Sequence, residues 1–231
     1  MNLLVVDTSS KEIAVAVFNG SKCLYENYIT VDKNYNKVLM PILQNAIDKS
    51  GLMLNEIDLF ASTLGPGSFT GIRVGMAALK GLAQPVSKNY SGVVVLDILA
   101  NSAESHGRVW AILDAGRGEL YAAAYIYKDK MQMLSGKYLL ISKENFQKKI
   151  KKGDTIVSLK REAFIVEMER PILKVQFVRL EHIDMKVFAK MMLRKAKTIK
   201  ASDLFNSAPV YIRPSEAEVT LKRNKKQKHT R

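Results

Sequence analysis

A glycine-rich block of eleven residues, Gly65-Pro66-Gly67-Ser68-Phe69-Thr70-Gly71-Ile72-Arg73-Val74-Gly75, stands between two apolar runs. The run before it, Leu59–Leu64, predicts a short buried strand, and the run Ile72–Ala83 predicts a helix. Such a turn aims backbone N–H groups along the positive end of the helix dipole, where a phosphate can bind. It also lets a helix pack closely on a sheet. The spacing matches neither the dinucleotide fingerprint nor the phosphate loop with its lysine, which favours the tight turn.

Length and composition narrow the classes of protein that remain. The 231 residues suffice for one large domain or two small lobes, and 47% of them are hydrophobic. The sequence has no membrane-span or signal-peptide pattern, and the single cysteine, Cys23, is typical of a reducing cytoplasm. The net charge is +14, with six Lys or Arg in Lys222–Arg231. This charge predicts a polyanion partner such as nucleic acid, or else a solubilising tail.

Two distant segments of the chain align as a weak internal repeat. Leu3–Val17 and Val109–Ala123 each contain an apolar strand that ends in Asp, then a short turn, a Glu and a second strand-like run. Asp7 is matched with Asp114, and Glu12 with Glu119. Each segment predicts a hairpin with a tight turn after the aspartate, and the repetition predicts two similar lobes.

The predicted turns are the candidate phosphate-facing sites. One large group of ATP-binding folds holds phosphate and magnesium with an aspartate and the N–H groups of the turn after it. Asp, Ser and Gly are also ordinary turn residues, so both interpretations stay open. The cationic candidates beside the turns could bind an anion or pair with carboxylates. The candidate residues are Asp7, Thr8, Ser9, Gly65, Gly67, Ser68, Thr70, Arg73, Asp114, Gly116, Arg117 and Gly118.

The rest of the chain predicts alternating strands and helices. Helices are predicted at 36–50, 98–103, 143–150 and 185–197, and strands at 93–95 and 137–141. Gly51 would end the first helix, while Ser142 and Asp184 would cap two others. This order predicts an α/β protein with a mixed sheet in each lobe. The expected divisions are an N-terminal lobe at 1–105, a second lobe at 106–218 and a disordered basic tail at 219–231.

Side chains with the spacing of known catalytic centres are lacking. No two of His106, His182 and His229 lie three to five residues apart, so no helical metal pair is expected. Ser68 lacks the second flanking glycine of a nucleophile elbow. We therefore expect no catalytic residue and no metal site in this chain, and a protease is excluded first.

Four sequence blocks resemble a known family. They are the block from Gly65 to Arg73, the segment Asp114–Tyr121, Tyr211-Ile212-Arg213-Pro214 and Val6-Asp7-Thr8-Ser9. They are similar to those of the glycoprotease-like family, in its branch of bacterial tRNA threonylcarbamoyladenosine biosynthesis proteins. The resemblance implies the two-lobed, ribonuclease H-like fold of actin, hexokinase and Hsp70. Many relatives carry His-Ser where this chain has Tyr35-Asn36, so no role of that histidine transfers.

The resemblance also implies a function and partners. It implies a cytoplasmic, non-catalytic subunit that pairs with a catalytic relative, TsaD, and an ATPase, TsaE. The complex would place threonylcarbamoyl on the adenosine beside the anticodon of tRNA. No cofactor is expected on this chain alone, and ATP would sit at the interface of the complex. The alternative is an active ATP-dependent kinase or carbamoyltransferase of the same fold, with Asp7 and Asp114 supplying the acid and the metal carboxylate.

Two predicted helices are the expected partner surface. Gly71 and Gly75 lie four apart in the second helix, a spacing that lets another helix approach closely. The first helix offers an apolar face. In the absence of the partner, the same surface could close on itself as a two-fold homodimer. The expected interface residues are Leu39, Ile42, Leu43, Ile47, Gly71, Gly75, Met76, Ala78 and Leu79.

Overall fold

The computed structural model describes residues 1–31, 35–160, 175–197 and 207–213. Within these ranges the strands are β1 Asn2–Asp7, β2 Glu12–Asn19, β3 Lys22–Thr30, β4 Leu59–Thr63, β5 Asn89–Val93, β6 Val109–Gly116, β7 Glu119–Lys128, β8 Met131–Leu134, β9 Leu139–Ser142, β10 Thr155–Leu159 and β11 Gln176–Leu180. The helices are α1 Tyr35–Ser50, α2 Phe69–Ala83, α3 Val95–Asn101, α4 Lys143–Gln147 and α5 Met185–Ala196, with a 3₁₀ turn at Leu54–Glu56.

The first sheet has the strand order β3-β2-β1-β4-β5. The β1–β2–β3 meander is antiparallel, whereas β4 and β5 run parallel to β1. β1 pairs with β2 from Asn2 opposite Asn19 to Asp7 opposite Ala14, which is the first predicted hairpin.

The second sheet repeats this arrangement with the order β11-β10-β6-β7-β8, and β9 also pairs with β7. The central β6 takes the place of β1: it is antiparallel to β7 and parallel to β10. β7 is antiparallel to β8 and β9, and β10 is parallel to β11. The two mixed sheets confirm the predicted α/β class, because each aligned segment forms the central hairpin of its own sheet.

Alternation along the strands divides the core into three layers. Leu3 and Val5 face a central cluster that they share with Val109 and Ala111 of the second sheet, so one core joins the sheets. α3 and α5 contribute to that central layer. The opposite face of the first sheet packs on α1 and α2. The opposite face of the second sheet packs around Phe146 of α4.

Local signals set the starts of α4 and α5 as the sequence predicts, although α4 ends at Gln147 and not at the predicted position 150. The Ser142 hydroxyl accepts a hydrogen bond from the Asn145 N–H at the start of α4. Asp184 Oδ1 accepts one from the Val187 N–H at the start of α5. Such caps satisfy N–H groups that have no partner inside the helix. None of the described helices is long and apolar enough to cross a membrane.

One predicted element is wrong and one lies outside the described residues. The strand predicted at 93–95 ends at Val93, and Val95 instead begins α3. An apolar run of this length does not by itself separate strand from buried helix. The predicted basic tail, 219–231, lies outside the described residues. The first sheet ends at Val93 and the second begins at Val109, and the lobe limits within this interval stay a prediction.

Candidate functional site

The first hairpin turn is held by the aspartate that ends β1. Asp7 is only 2% exposed. Its Oδ1 accepts hydrogen bonds from the Ser9 N–H at 3.0 Å and from the Thr63 hydroxyl at 2.6 Å. This carboxylate therefore ties the turn to β4.

The glycine-rich turn is shaped around that hairpin turn. A Cβ added at Gly67, whose φ is +153°, would lie 2.1 Å from the Ser9 carbonyl oxygen. At Gly71 it would lie 2.1 Å from the Thr8 carbonyl oxygen, and at Gly75 2.3 Å from the Thr8 hydroxyl. These glycines let Thr8 and Ser9 approach the backbone of the turn and of α2, as the tight-turn interpretation requires.

Two N–H groups of this turn have protein partners. The Ser68 N–H donates to the Ser9 carbonyl at 2.6 Å. The Ser68 hydroxyl accepts from the Gly71 N–H at 3.1 Å and so caps α2. Gly65 is buried under Ile72 and the backbone of Val210, whereas Thr70 is exposed. The turn is therefore built to hold its own chain together.

The second hairpin turn is open by comparison. Asp114 is exposed, and its Oδ1 accepts a hydrogen bond from the Gly116 N–H at 2.8 Å. Arg117 and Gly118 are exposed and have φ values of +58° and +76°. A Cβ at Gly116 or Gly118 would meet nothing within 4 Å. In both turns the aspartate accepts a hydrogen bond from the N–H two residues further on. The turns differ in backbone conformation, because only the second has positive φ values, and in what covers them.

A cleft of about 520 Å³ lies between the two turns. Its polar lining includes Ser9, Ser10, Lys11, Ser68 and Asp114. Among the residues the structure describes, no three His, Cys, Asp or Glu side chains are grouped to hold a metal. The Asp7 carboxylate accepts hydrogen bonds from the Thr63 hydroxyl and the Ser9 N–H, and Asp114 lies at the edge of the cleft.

Arg73 forms contacts that neither sequence interpretation predicted. Its Nε donates to the Tyr211 hydroxyl at 2.7 Å, and its guanidinium lies 3.8 Å from the centre of the Phe69 ring. The Phe69 and Tyr211 rings stack at 5.0 Å. Tyr211 is 138 positions away in the sequence, so only the fold could reveal this partner.

Residues 207–213, here called the strap, join the two halves of the molecule. The Val210 N–H donates to the Leu64 carbonyl at 2.7 Å, just before the glycine-rich turn. Arg213 Nη2 donates to Glu119 Oε2 at 2.7 Å, at the start of β7. The strap therefore connects the first sheet with the second hairpin.

The structure corrects the residues of the predicted partner face. Ile42 and Ala78 remain partly exposed. The other predicted members are buried in the chain's own fold because both helices pack their apolar faces on the first sheet. Thr8 packs against Gly71 and Gly75, so these glycines are not available to a partner helix. The buried members are Leu39, Leu43, Ile47, Gly71, Gly75, Met76 and Leu79.

A half-buried carboxylate beside the central core was not predicted from the sequence. Asp97 of α3 accepts hydrogen bonds from the Tyr125 hydroxyl at 2.7 Å and from the Tyr138 hydroxyl at 2.9 Å. Burial raises the pKa of Asp97, against the opposing effects of both hydroxyls and of Lys195. The signal that could have found it is a single acid within the apolar stretch of the helix Val95–Asn101.

Two mixed sheets of matching topology, with a cleft between their hairpin turns, define the class as a two-lobed, actin-like fold. A solved protein from Pseudomonas aeruginosa, described as similar to the peptidase YEAZ, superposes with a TM-score of 0.72 at 24% identity, covering 92% of this chain and 99% of that one. A putative N-acetylmannosamine kinase from Listeria monocytogenes has a TM-score of 0.50 at 7% identity, covering 85% and 99%. At these identities the likeness shows the fold alone.

The family is shown by the sequence. Residues 29–181, more than half of the chain, match the family described as "TsaD: tRNA N6-adenosine threonylcarbamoyltransferase", and the chain belongs to this family. It is 29% identical over 164 residues to the Escherichia coli "tRNA threonylcarbamoyladenosine biosynthesis protein TsaB", and 29% identical over 130 residues to that of Bacillus subtilis. The matches cover 61% and 56% of this chain, and 71% and 57% of the relatives. The resemblance predicted from the sequence is confirmed.

Proposed function

We propose that this chain is a non-catalytic subunit of the machinery that places threonylcarbamoyl on the adenosine next to the anticodon of tRNA. The family and the relatives named TsaB support the reaction. The observation that carries the non-catalytic role is the first hairpin turn. The Asp7 carboxylate there is buried and bound to Thr63 and to the Ser9 N–H, so it is engaged in structure.

The proposed partners are a catalytic relative, TsaD, and an ATPase, TsaE. The surface proposed for TsaD is the outward side of α1 and α2, where Ile42 and Ala78 are partly exposed beside exposed Met40 and Ala77. Small and apolar side chains at a helix surface suit a close helix–helix contact. ATP is proposed to bind at the interface of the complex. The chain alone is proposed to use the same surface as a homodimer.

Reconstitution tests this proposal. Purified chain, TsaD and TsaE are combined with unmodified tRNA, ATP and threonylcarbamoyl-AMP, and modified adenosine is measured by mass spectrometry of digested tRNA. We expect modification with all components, loss of it when the chain is left out, and none with the chain alone. Steady turnover by the chain alone would contradict the non-catalytic role.

A charge-removing variant separates the scaffold from the alternative kinase or carbamoyltransferase. Asp114→Asn keeps an oxygen that can accept from the Gly116 N–H but removes the carboxylate charge in the cleft. A scaffold should support modification within about twofold of the unchanged chain. An enzyme that needs this carboxylate for phosphoryl transfer should lose on the order of 100-fold or more.

A further inference from the structure

A second concave site lies away from the hairpin turns, where α5 passes the β7–β8 turn. This pocket has a volume of about 380 Å³ and is here called the β8 pocket. Its lining includes His106, Tyr127, Lys130, Gln132, Lys190 and Arg194. None of these residues belongs to the cleft between the lobes, so the β8 pocket is a separate feature.

Positive charge converges on the β8 pocket from two elements. Lys190 and Arg194 are four residues apart on α5 and so share one face of the helix. Lys130 enters from the β7–β8 turn, where it has a φ of +62°. Within the described ranges, none of these three cations forms an ion pair. Glu104 is the acidic side chain of the lining, which leaves an excess of positive charge for an anion such as phosphate.

An exposed aromatic side chain stands beside these cations. Tyr127 is 41% exposed, which is high for a large aromatic residue. The His106 and Tyr127 rings make an edge-to-face contact, with centroids 4.4 Å apart and an interplanar angle of 62°. An exposed ring beside cations can stack an unpaired base while the cations bind the phosphate.

The pocket lining includes a buried hydrogen-bond acceptor, the amide oxygen of Gln132, to which no group donates among the described residues. Gln132 is 5% exposed, and its Nε2 donates to the Ser105 carbonyl, which fixes the orientation of the amide. Its Oε1 is buried and has no hydrogen-bond partner among the described residues. An unmet buried acceptor is costly, and the exocyclic amine of a base is a donor that would satisfy it.

We infer that the β8 pocket binds one nucleotide of a single RNA strand. The phosphate contacts Lys130, Lys190 and Arg194, and the base stacks on Tyr127 with its amine towards Gln132. The identity of this RNA as tRNA rests on the proposed function. The shared chemistry is a phosphorylated nucleoside, and a strand is favoured over a free nucleotide because the whole chain is basic, at +14.

Binding to the full chain tests the inference directly. Fluorescence anisotropy follows a labelled single-stranded oligoadenylate, and separately unmodified tRNA, across a salt series. Lys190→Gln/Arg194→Gln should raise the Kd about tenfold or more and reduce the slope of log K against log salt by about two. Tyr127→Ala should raise the Kd about tenfold while the slope stays unchanged, because it removes stacking but no charge.

A matched control removes two charges elsewhere. Lys148 and Lys152 are exposed beside α4, whose Phe146 packs on the other face of the second sheet. Lys148→Gln/Lys152→Gln should change the Kd less than threefold. Equal losses in this control and in the α5 variant would overturn the pocket in favour of diffuse charge. Circular dichroism verifies that all variants fold.

Two further outcomes decide the ligand. AMP that displaces the oligonucleotide with a Kd at or below that of the strand would overturn the assignment to RNA. Unchanged tRNA binding by both α5 and Tyr127 variants, in a chain that still supports modification, would overturn the pocket and leave the proposed function standing. If the variants lose RNA binding while the unchanged chain supports no modification in the reconstituted system, the pocket is upheld and the proposed function is rejected.

Discussion

At the scale of single residues, the glycines of α2 differ in how much space an added side chain would have. Gly71 lies against the Thr8 carbonyl, while a Cβ at Gly81 in the same helix would meet nothing within 4 Å. The backbone carbonyl at Thr8 has little freedom to move, because the turn is fixed by Asp7 and by the Ser68 N–H. The two positions therefore form a matched pair.

Gly71→Ala is expected to lower the free energy of unfolding by about 2–3 kcal/mol, as overpacking of a tight contact does. Gly81→Ala should raise it by about 0.5–1 kcal/mol, since alanine is the better helix former. Urea unfolding of both variants measures the difference. Equal effects at the two positions would show that the contact with Thr8 does not constrain the helix.

The half-buried Asp97 gives a second prediction at this scale. Burial raises the pKa of Asp97, so the folded protein binds this proton more tightly than the unfolded chain does. The stability that this proton binding contributes is fully present below the unfolded pKa of about 4. It is lost as the pH rises from there through the raised pKa of the folded state.

Asp97→Asn removes this titration and keeps an oxygen acceptor for the two tyrosines. The stability of the variant relative to the unchanged chain should rise from pH 4 to pH 7, as measured by urea unfolding at each pH. Asp48→Asn, at an exposed position of α1, is the control and should give a constant difference. A constant difference for Asp97→Asn as well would contradict the prediction.

At the scale of elements, the strap is a short segment that depends on side-chain contacts. Tyr211 combines the stack on Phe69 with the hydrogen bond from Arg73. Aromatic stacking contributes about 0.5–1.5 kcal/mol and an exposed cation–π contact about 0.5–1 kcal/mol. The Arg213–Glu119 pair is partly exposed and should add about 1 kcal/mol at most.

Tyr211→Ala should therefore destabilise the protein by about 1–2 kcal/mol and make the strap more susceptible to limited proteolysis. Tyr211→Phe retains the ring and should lose only about 0.5 kcal/mol with the hydroxyl. Thermal unfolding and a protease time course compare the two variants. Identical behaviour of Tyr211→Ala and Tyr211→Phe would mean that the stack does not hold the strap.

At the scale of the whole molecule, the surface proposed for the partner consists of the side chains of α1 and α2 that are not buried in the core. α1 and α2 bury most of their apolar side chains on the first sheet, so few residues are left for the proposed partner, TsaD. Ala77→Glu should weaken binding to TsaD at least tenfold while the free chain keeps its stability. Gln147→Glu on α4 should leave binding unchanged. Titration calorimetry measures both, and equal affinities would place the partner elsewhere.

The sequence by itself determined the local elements. Apolar runs on both sides of a short turn after Asp7 and after Asp114 were enough to predict both hairpins, since a tight turn pairs two strands that are neighbours in the chain. Ser142 and Asp184 cap their helices because a side-chain oxygen within reach of an unpaired N–H acts locally. The glycine-rich block favoured a tight turn for the same local reason.

Only the tertiary structure decided which of the two turns is covered by the rest of the chain and which is exposed. The turn after Asp7 is filled by contact with α2, while its counterpart after Asp114 is exposed, although the two sequences align. Tyr211 reaches Arg73 across 138 positions, and Asp97 meets two tyrosines in the shared core. Such contacts depend on how the sheets pack, and periodicity within one segment carries no information about a neighbour that is distant in the chain.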